Sequence, residues 1–281
     1  MAGTPKPSRI ESIFHPSDFS DGSAVAFAHA LKIALVARAE LNVLHVSESG
    51  GGHWSDFPGV RQTLEQWHVL PPNSPRSAVP SLGISVKKVL TQSDDPVAAS
   101  VGYLERNPTD LVVLATHQHD GRARWLTRSV AQPIAQQSHL MTLFIPFGLP
   151  GFVSRTDGSV TLRSVIIPAA ADPKPDRAID AACLLASVLE PDPVTFTTVH
   201  VGDAGATPAP TVEQRDGWTW NHLTRSGEPV ETILAVAGEQ GADLIVMTTK
   251  GRHGFLDALR GSTTEQVLRH ARCPVLALPV T

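Results

Sequence analysis

Short apolar runs rich in branched residues alternate along the chain with longer segments of helical spacing. In the first half the apolar runs are SIF (12–14), LNVLHV (41–46), ISVKKVL (84–90), DLVVLA (110–115) and TLFIP (142–146). Between the first two runs, apolar residues recur every three or four positions, as in an amphipathic helix. Continuous apolar strands alternating with helices predict parallel βαβ units whose strands are buried on both faces.

The same pattern occurs twice in the chain. Four pairs of matching residues each lie 133 residues apart: Pro96 and Pro229, Asp110 and Asp243, Ser129 and Ser262, Pro146 and Pro279. Earlier positions match at larger offsets, 152 between Pro16 and Pro168 and 155 between His45 and His200. The repeat predicts two tandem doubly wound α/β domains, 1–148 and 160–281, each a five-stranded parallel sheet with about four helices. Residues 148–160, rich in Gly, Pro and Ser, are predicted to join them.

The segment after the fourth strand of the second half carries a candidate anion site. Ligands of such sheets bind at the carboxyl ends of the strands. Ser262 is followed three residues later by Glu265, a capping-box pattern that marks a helix start. A helix N-terminus attracts anions, and Gly261 just before it would let a phosphate approach the backbone closely. Gly251 permits a turn at the strand end, although two glycines are also compatible with an ordinary loop.

The first half repeats the strand and the Ser129–Gln132 capping pattern but lacks the glycines. Arg128 stands where Gly261 stands in the second half, and a bulky side chain there would keep a phosphate from the backbone. The glycines are therefore not needed to connect this strand to this helix. This contrast favours a ligand role for Gly251 and Gly261. Neither a Walker loop nor a G-x-G-x-x-G motif is present.

Several segments together resemble the universal stress protein family, here as a tandem-domain member. One such segment resembles the family's nucleotide loop: it consists of TTKG (248–251), nine further residues and then Gly261-Ser262. Thr248 stands in place of the first glycine of that loop. The family's first strand and turn resemble HPSDFSDGS (15–23), and its second strand resembles LHV (44–46). Its usual ending resembles VLRHARCPVLALP (267–279). The resemblance implies an adenine nucleotide alpha hydrolase-like fold and a stress sensor or regulator that binds ATP, with Mg²⁺ as an accompanying ion.

The resemblance also implies which residues bind the nucleotide. In the second half these are Pro168, Val201, Met247, Thr248, Lys250, Gly251, Gly261, Ser262 and Thr263. A remnant site in the first half would use Asp18, Val46 and Ser129. In the second half, Ala170 stands at the position of Asp18, so one contact to the nucleotide is lost there. In the first half the glycines that would bind the phosphates are lost, and we expect this to weaken binding more. The second half is thus predicted to hold the nucleotide.

Composition excludes other classes of function. A net charge of −4 over 281 residues does not favour nucleic-acid binding, and no apolar run approaches the roughly 20 residues of a membrane span. The absence of a signal-peptide pattern predicts a cytoplasmic protein. Cys183 and Cys273 lie in apolar segments and are predicted to be core residues. His15 and the HQHD segment (117–120) contain possible metal ligands, but no partner lies at a diagnostic spacing, so no metal site is predicted.

The sequence contains no recognisable order of Ser, His and Asp or of Cys and His for nucleophilic catalysis, so at most weak ATP hydrolysis is expected. The alternative function is a nucleotide-free interaction scaffold. For either function we expect a homodimer or a pseudo-dimer of the two halves. An enzyme of the related hydrolase superfamily is disfavoured, because the glycine-rich phosphate motif of those enzymes is missing after the first strand.

Overall fold

The computed structural model describes residues 9–48, 55–116, 130–191, 193–203, 212, 214–250 and 262–280. The chain divides into two compact units, Arg9–Val160 and a second that begins at Thr161. The unit boundary, between Val160 and Thr161, lies at the end of the predicted join. The bounds 1–148 and 160–281 remain the prediction for the two domains.

The first unit is a five-stranded parallel sheet with helices between its strands. The strands are β1 (Ser12–Pro16), β2 (Glu40–Ser47), β3 (Ser85–Gln92), β4 (Leu111–Thr116) and β5 (Thr142–Pro146). The helices are α1 (Asp21–Ala37), α2 (Val60–Gln66), α3 (Pro96–Arg106) and α4 (Ala131–Ser138), with two short 3-10 turns, Arg76–Ala78 and Pro80–Leu82. The strand order is β3-β2-β1-β4-β5. The order reverses between β1 and β4, so the unit is doubly wound.

The second unit repeats this topology. Its strands are β6 (Ser164–Pro168), β7 (Val194–Val201), β8 (Trp218–Arg225), β9 (Leu244–Lys250) and β10 (Val275–Val280). Its described helices are α5 (Asp176–Leu189), α6 (Pro229–Glu239) and α7 (Thr263–His270). The order β8-β7-β6-β9-β10 corresponds strand for strand to that of the first unit. The predicted fold class, two tandem doubly wound α/β domains with parallel sheets, is confirmed.

One carboxylate fixes the start of the first strand in each unit. Asp110 accepts hydrogen bonds from the backbone N–H groups of Glu11 and Ser12 at 2.8 and 2.9 Å. Asp243, its partner in the repeat, accepts from Arg163 and Ser164 at the same two distances. Two residues that are 133 positions apart in the sequence therefore make the same backbone contacts in the two units.

The core lies around the central strands of each sheet. β1, β4 and β5 are almost fully buried, as their apolar runs predict, whereas the edge strands β3 and β8 keep many exposed positions. Cys183 and Cys273 are both buried, and burial raises the pKa of Cys273 to about 12. They are core residues, as predicted. Among the described residues, no helix is long and apolar enough to cross a membrane.

Residues 152–160 pack into the first unit instead of forming a loose linker. Val153 pairs with Val160 across a short antiparallel bridge, and Phe152 is fully buried. The backbone N–H groups of Phe152 and Val153 both donate to Nε2 of His29, at 3.0 and 3.1 Å. Gly, Pro and Ser content predicted a join, but composition could not reveal that a buried imidazole on α1 holds this join.

α5 ends in a left-handed residue that is not glycine, and this offers a stability prediction. Glu190 has φ 49° and ψ 45°, and its N–H donates to the carbonyl of Ala186. A side chain in this conformation is strained, whereas glycine adopts it freely. Because glycine also loses more entropy on folding, we expect Glu190→Gly to stabilise the second unit by about 0.5–1 kcal/mol. Thermal unfolding would measure this, and Glu190→Ala, which keeps the Cβ, should gain nothing.

Candidate functional site at the carboxyl edges of the two sheets

The described residues predicted to bind the nucleotide lie around one edge of the second unit. Pro168 is the last residue of β6, Val201 is the last residue of β7, and Met247 and Thr248 lie in β9. β6 pairs in parallel with both β7 and β9, so these positions approach the same edge of the sheet. The Thr248 hydroxyl donates to the carbonyl of Lys174 at 3.3 Å, a contact that the sequence did not indicate.

α7 begins at the same edge with a capped N-terminus. Ser262 is its N-cap, and its hydroxyl oxygen accepts a hydrogen bond from the N–H of Glu265 at 3.2 Å. Thr263 is the first helical residue. The carboxylate of Glu265 is buried and accepts from the guanidinium of Arg269, so its negative charge is paired. The predicted Ser262 cap is confirmed. Gly251 and Gly261 lie outside the described residues, as does the side chain of Lys250, the last residue of β9.

The equivalent helix of the first unit differs. α4 begins at Ala131, and its N-cap position is Val130, which makes no side-chain cap. The cap predicted at Ser129 lies outside the described residues. Pro133 is the third residue of α4 and has no N–H. A side chain at the Val130 position would thus lack the donor that an N-cap most often meets.

The first unit contains a cavity of about 800 Å³ at the carboxyl ends of β1, β2 and β4. Two of the three residues predicted for the remnant site line it, Asp18 and Val46. Asp18 is exposed, and its Oδ1 accepts from the N–H and the hydroxyl of Ser20, the N-cap of α1. The remaining lining residues are apolar or acidic, apart from three serines.

A chain of hydrogen bonds runs from the cavity wall into the core. Ser17 Oγ lies 3.0 Å from Ser23 Oγ, and Ser23 Oγ lies 3.4 Å from His15 Nε2. His15 Nδ1 donates to the carbonyl of Val113 at 2.9 Å. Burial lowers the pKa of His15 to about 4, so the ring is neutral at physiological pH. The sequence pointed to His15 only as a metal ligand; the serine contacts depend on where the turn into α1 places them.

Two other histidines confirm the repeat at this edge. His45 Nδ1 donates to the carbonyl of Ser17 at 2.7 Å, and His200 Nδ1 donates to the carbonyl of Ala169 at 3.0 Å. Both therefore hold the turn that follows the first strand of their unit. Within the described part of the chain, no cluster of His, Cys, Asp or Glu could hold a metal ion. The HQHD segment (117–120) lies outside that part.

The fold and these edges define a class: tandem doubly wound α/β domains whose candidate sites lie at the carboxyl ends of parallel strands, beside a helix N-terminus. Comparison with known sequences identifies the family. The profile of the universal stress protein family matches residues 10–146 and 169–279, once in each unit. The chain belongs to this family, as a member with two repeats.

Individual relatives resemble parts or all of the chain. A universal stress protein of Methanocaldococcus jannaschii is 44% identical over 52 residues, which is 18% of this chain and 31% of that protein. One from Thermus aquaticus is 43% identical over 54 residues, 19% of this chain and 39% of that protein. The chain thus matches only about a third of the length of the curated relatives.

Solved structures match over nearly the full length. A universal stress protein from Archaeoglobus fulgidus superposes with a TM-score of 0.63 at 18% identity, covering 96% of this chain and 97% of that one. A functionally unknown protein from Pseudomonas aeruginosa gives a TM-score of 0.60 at 14% identity, covering 96% and 92%. At these identities the likeness shows the fold.

Proposed function

We propose that this stress protein binds ATP or a related adenine nucleotide in its second unit and acts as a cytoplasmic sensor or regulator. The nucleotide would lie at the edge formed by Pro168, Val201, Met247 and Thr248, with its phosphates at the N-terminus of α7. Gly251, Gly261 and Lys250 complete the proposed site from the sequence, and Mg²⁺ would accompany the phosphates. We propose no catalytic residue.

The capped N-terminus of α7 carries this proposal. Ser262 satisfies one N–H of the first turn, and the positive end of the helix dipole favours a bound anion. The pairing of Glu265 with Arg269 reduces the repulsion that a carboxylate in the first turn would exert. The α4 terminus of the first unit has no side-chain cap at Val130. This difference between matched helices favours the second unit.

A single substitution tests the site. Gly261→Val should place a branched side chain where a phosphate meets the backbone and should abolish nucleotide binding while the fold is kept. Phosphate contacts are charge-assisted hydrogen bonds worth roughly 1.5–3 kcal/mol each, so losing two would weaken affinity by at least about a hundredfold. Isothermal titration calorimetry with ATP and Mg²⁺, and adenine absorbance after release of any copurified ligand, would measure the loss.

The matched control is Gly238→Val on α6, where an added Cβ would meet no atom within 4 Å. This variant should bind ATP as the wild type does. Unchanged affinity in Gly261→Val would disprove the phosphate cradle. A wild-type protein that copurifies without nucleotide and shows no thermal shift with millimolar ATP, ADP or cyclic AMP would instead favour the interaction scaffold. The proposed homodimer would be measured separately by sedimentation velocity.

A further inference from the structure

β8 forms an edge of the second sheet, and this edge lacks the usual protection against pairing with another chain. All eight residues of β8 pair with β7, and within the described part of the chain no strand pairs with its other side. The register runs without a bulge, the strand contains no proline, and its one permanent charge is Arg225 at the end. Edge strands of natural proteins usually carry a lysine, a proline or a bulge, because their unpaired backbone groups are a template for another strand.

The alternation of backbone groups shows which residues of β8 face this edge. The carbonyls of Gly217 and Arg225 accept hydrogen bonds from the β7 side. Backbone groups of successive residues point to opposite sides of a strand, so those of His222 and Thr224 point away from β7. His222 is exposed, and no described residue bonds to its backbone N–H or C=O on that side. The centre of β8 therefore offers a donor and an acceptor to an incoming strand.

The side chains on one face of β8 are held by β7, so the strand is already ordered for pairing. Phe196 stacks on Trp220 with ring centroids 4.4 Å apart, and it packs edge-on against Trp218 at 5.1 Å. Thr198 Oγ1 and His222 Nδ1 lie 2.7 Å apart. A strand that is ordered before association loses less conformational entropy when it binds.

A second copy of the chain fits this edge about a two-fold axis. When two β8 strands run antiparallel with the axis at His222, each His222 lies opposite its own copy as a hydrogen-bonded pair. The N–H of each then donates to the C=O of the other. In the same register, Asn221 lies opposite Leu223 of the second copy and Thr219 lies opposite Arg225. No two permanent charges face one another, so the strand is compatible with itself.

The matching edge of the first unit is not compatible with itself in this register. Lys88 pairs with Val43, and His222 pairs with Thr198. Val43 and Thr198 are 155 residues apart, the offset that relates the second strands of the two halves, so Lys88 is the counterpart of His222. Two β3 strands paired in the same way would bring two Lys88 ammonium groups opposite one another. Like charges at opposite positions destabilise a strand pair, so the two edges differ in their capacity for self-pairing.

We infer that β8 is an interface between two copies of this chain, which pair edge to edge as antiparallel strands with the two-fold axis at His222. A contact of this kind closes after two copies, because each copy uses the edge only once. The inference rests on the homodimer proposed above and names its surface. It does not depend on nucleotide binding.

Cysteine substitutions in the full chain test the register. His222→Cys places two thiols on opposite residues whose Cα atoms lie about 5.5 Å apart in such a pair, within the range of a disulfide. Mild oxidation should give a linked dimer on non-reducing electrophoresis. Asn221→Cys, at an exposed residue that would lie opposite Leu223 of the second copy, should link far less. Cys183 and Cys273 are buried, so oxidised wild type should stay unlinked. No link in His222→Cys, or equal linking in the two variants, would overturn the inference.

A lysine at the two-fold axis tests the same interface without cross-linking. His222→Lys gives β8 the residue that β3 carries at the matching position, and it should raise the dissociation constant of the dimer about fivefold. Asn221→Lys adds the same charge one residue away and should change this constant much less. Sedimentation velocity from micromolar to near-millimolar concentration measures both, and circular dichroism checks that both variants fold.

A wild type that stays monomeric over this range would overturn both the homodimer and the interface. A dimer that is equally stable in His222→Lys and Asn221→Lys would overturn the interface alone, since the homodimer would then use another surface. ATP affinity, measured by calorimetry, should be the same in both variants as in the wild type. A failure of the nucleotide proposal would thus be seen separately.

Discussion

Phe152→Ala should destabilise the first unit by about 3–5 kcal/mol, the usual cost of removing a fully buried phenyl ring. Phe152 is completely inaccessible to solvent and packs edge-on against His29, with ring centroids 4.7 Å apart. The cost is expected although the residue lies in a segment whose composition resembles a linker. Urea unfolding followed by circular dichroism would measure the change. Tryptophan fluorescence should follow it too, because Trp67 donates its indole N–H to the carbonyl of Arg155 in this segment.

Phe147→Ala provides the matched control for this prediction. Phe147 precedes the packed segment and is 46% exposed, so the same substitution should cost only about 1–1.5 kcal/mol. If the two variants were equally stable, residues 152–160 would not be part of the folded first unit. The packing of Phe152 and its two backbone contacts to His29 would then contribute nothing measurable.

Acidification should destabilise the first unit through His29 by about 3 kcal/mol as the pH falls from above 6.5 to below 4. His29 is buried, and burial lowers its pKa to about 4 from 6.5. Its Nδ1 donates to the carbonyl of Val25 and its Nε2 accepts from two N–H groups, so a second proton has no acceptor. Below pH 6.5 the unfolded chain binds the proton and the folded chain does not. The free energy of unfolding therefore falls with pH until the folded ring titrates near pH 4.

His15 should add a second loss in the same pH window, since burial also lowers its pKa to about 4. Between pH 6 and pH 5 the free energy of unfolding should thus fall by about 2 kcal/mol, because at each ring the unfolded chain binds nearly one proton more than the folded chain. His29→Gln keeps an acceptor near the two N–H groups but cannot titrate, so it should remove about half of this slope. His68→Gln, at an exposed imidazole of the same unit, should leave it unchanged. A wild-type slope near zero in this window would contradict buried neutral histidines.

The sequence predicted the architecture well because buried strands and helices each require a recognisable pattern of apolar residues. Continuous apolar runs at β1, β4 and β5 marked strands covered on both faces. The constant offset between Asp110 and Asp243 located two residues that make the same pair of backbone contacts. The edge strand β3 was predicted to end at residue 90, two residues before its observed end at Gln92, because the apolar pattern is weaker where alternate positions are exposed.

The candidate sites also differ in how far the sequence predicts them. The serine cap of α7 follows from local sequence, because a hydroxyl followed three residues later by Glu meets its partner within one helical turn. The chain from Ser17 to His15 could not be derived in this way. Its direction depends on the carbonyl of Val113, 98 residues from His15 in the sequence and brought close by the pairing of β1 with β4.

By itself, the sequence determined that this protein is two doubly wound units of one family, and it predicted which helix start would hold a phosphate. Those properties depend on spacing within a strand, a turn or a repeat. Only the tertiary structure decided that residues 152–160 belong to the first unit and that Ser17 and Ser23 connect the wall of its cavity to His15. Both depend on the hydrogen-bond partners of buried histidines, and these partners come from segments far apart in the chain.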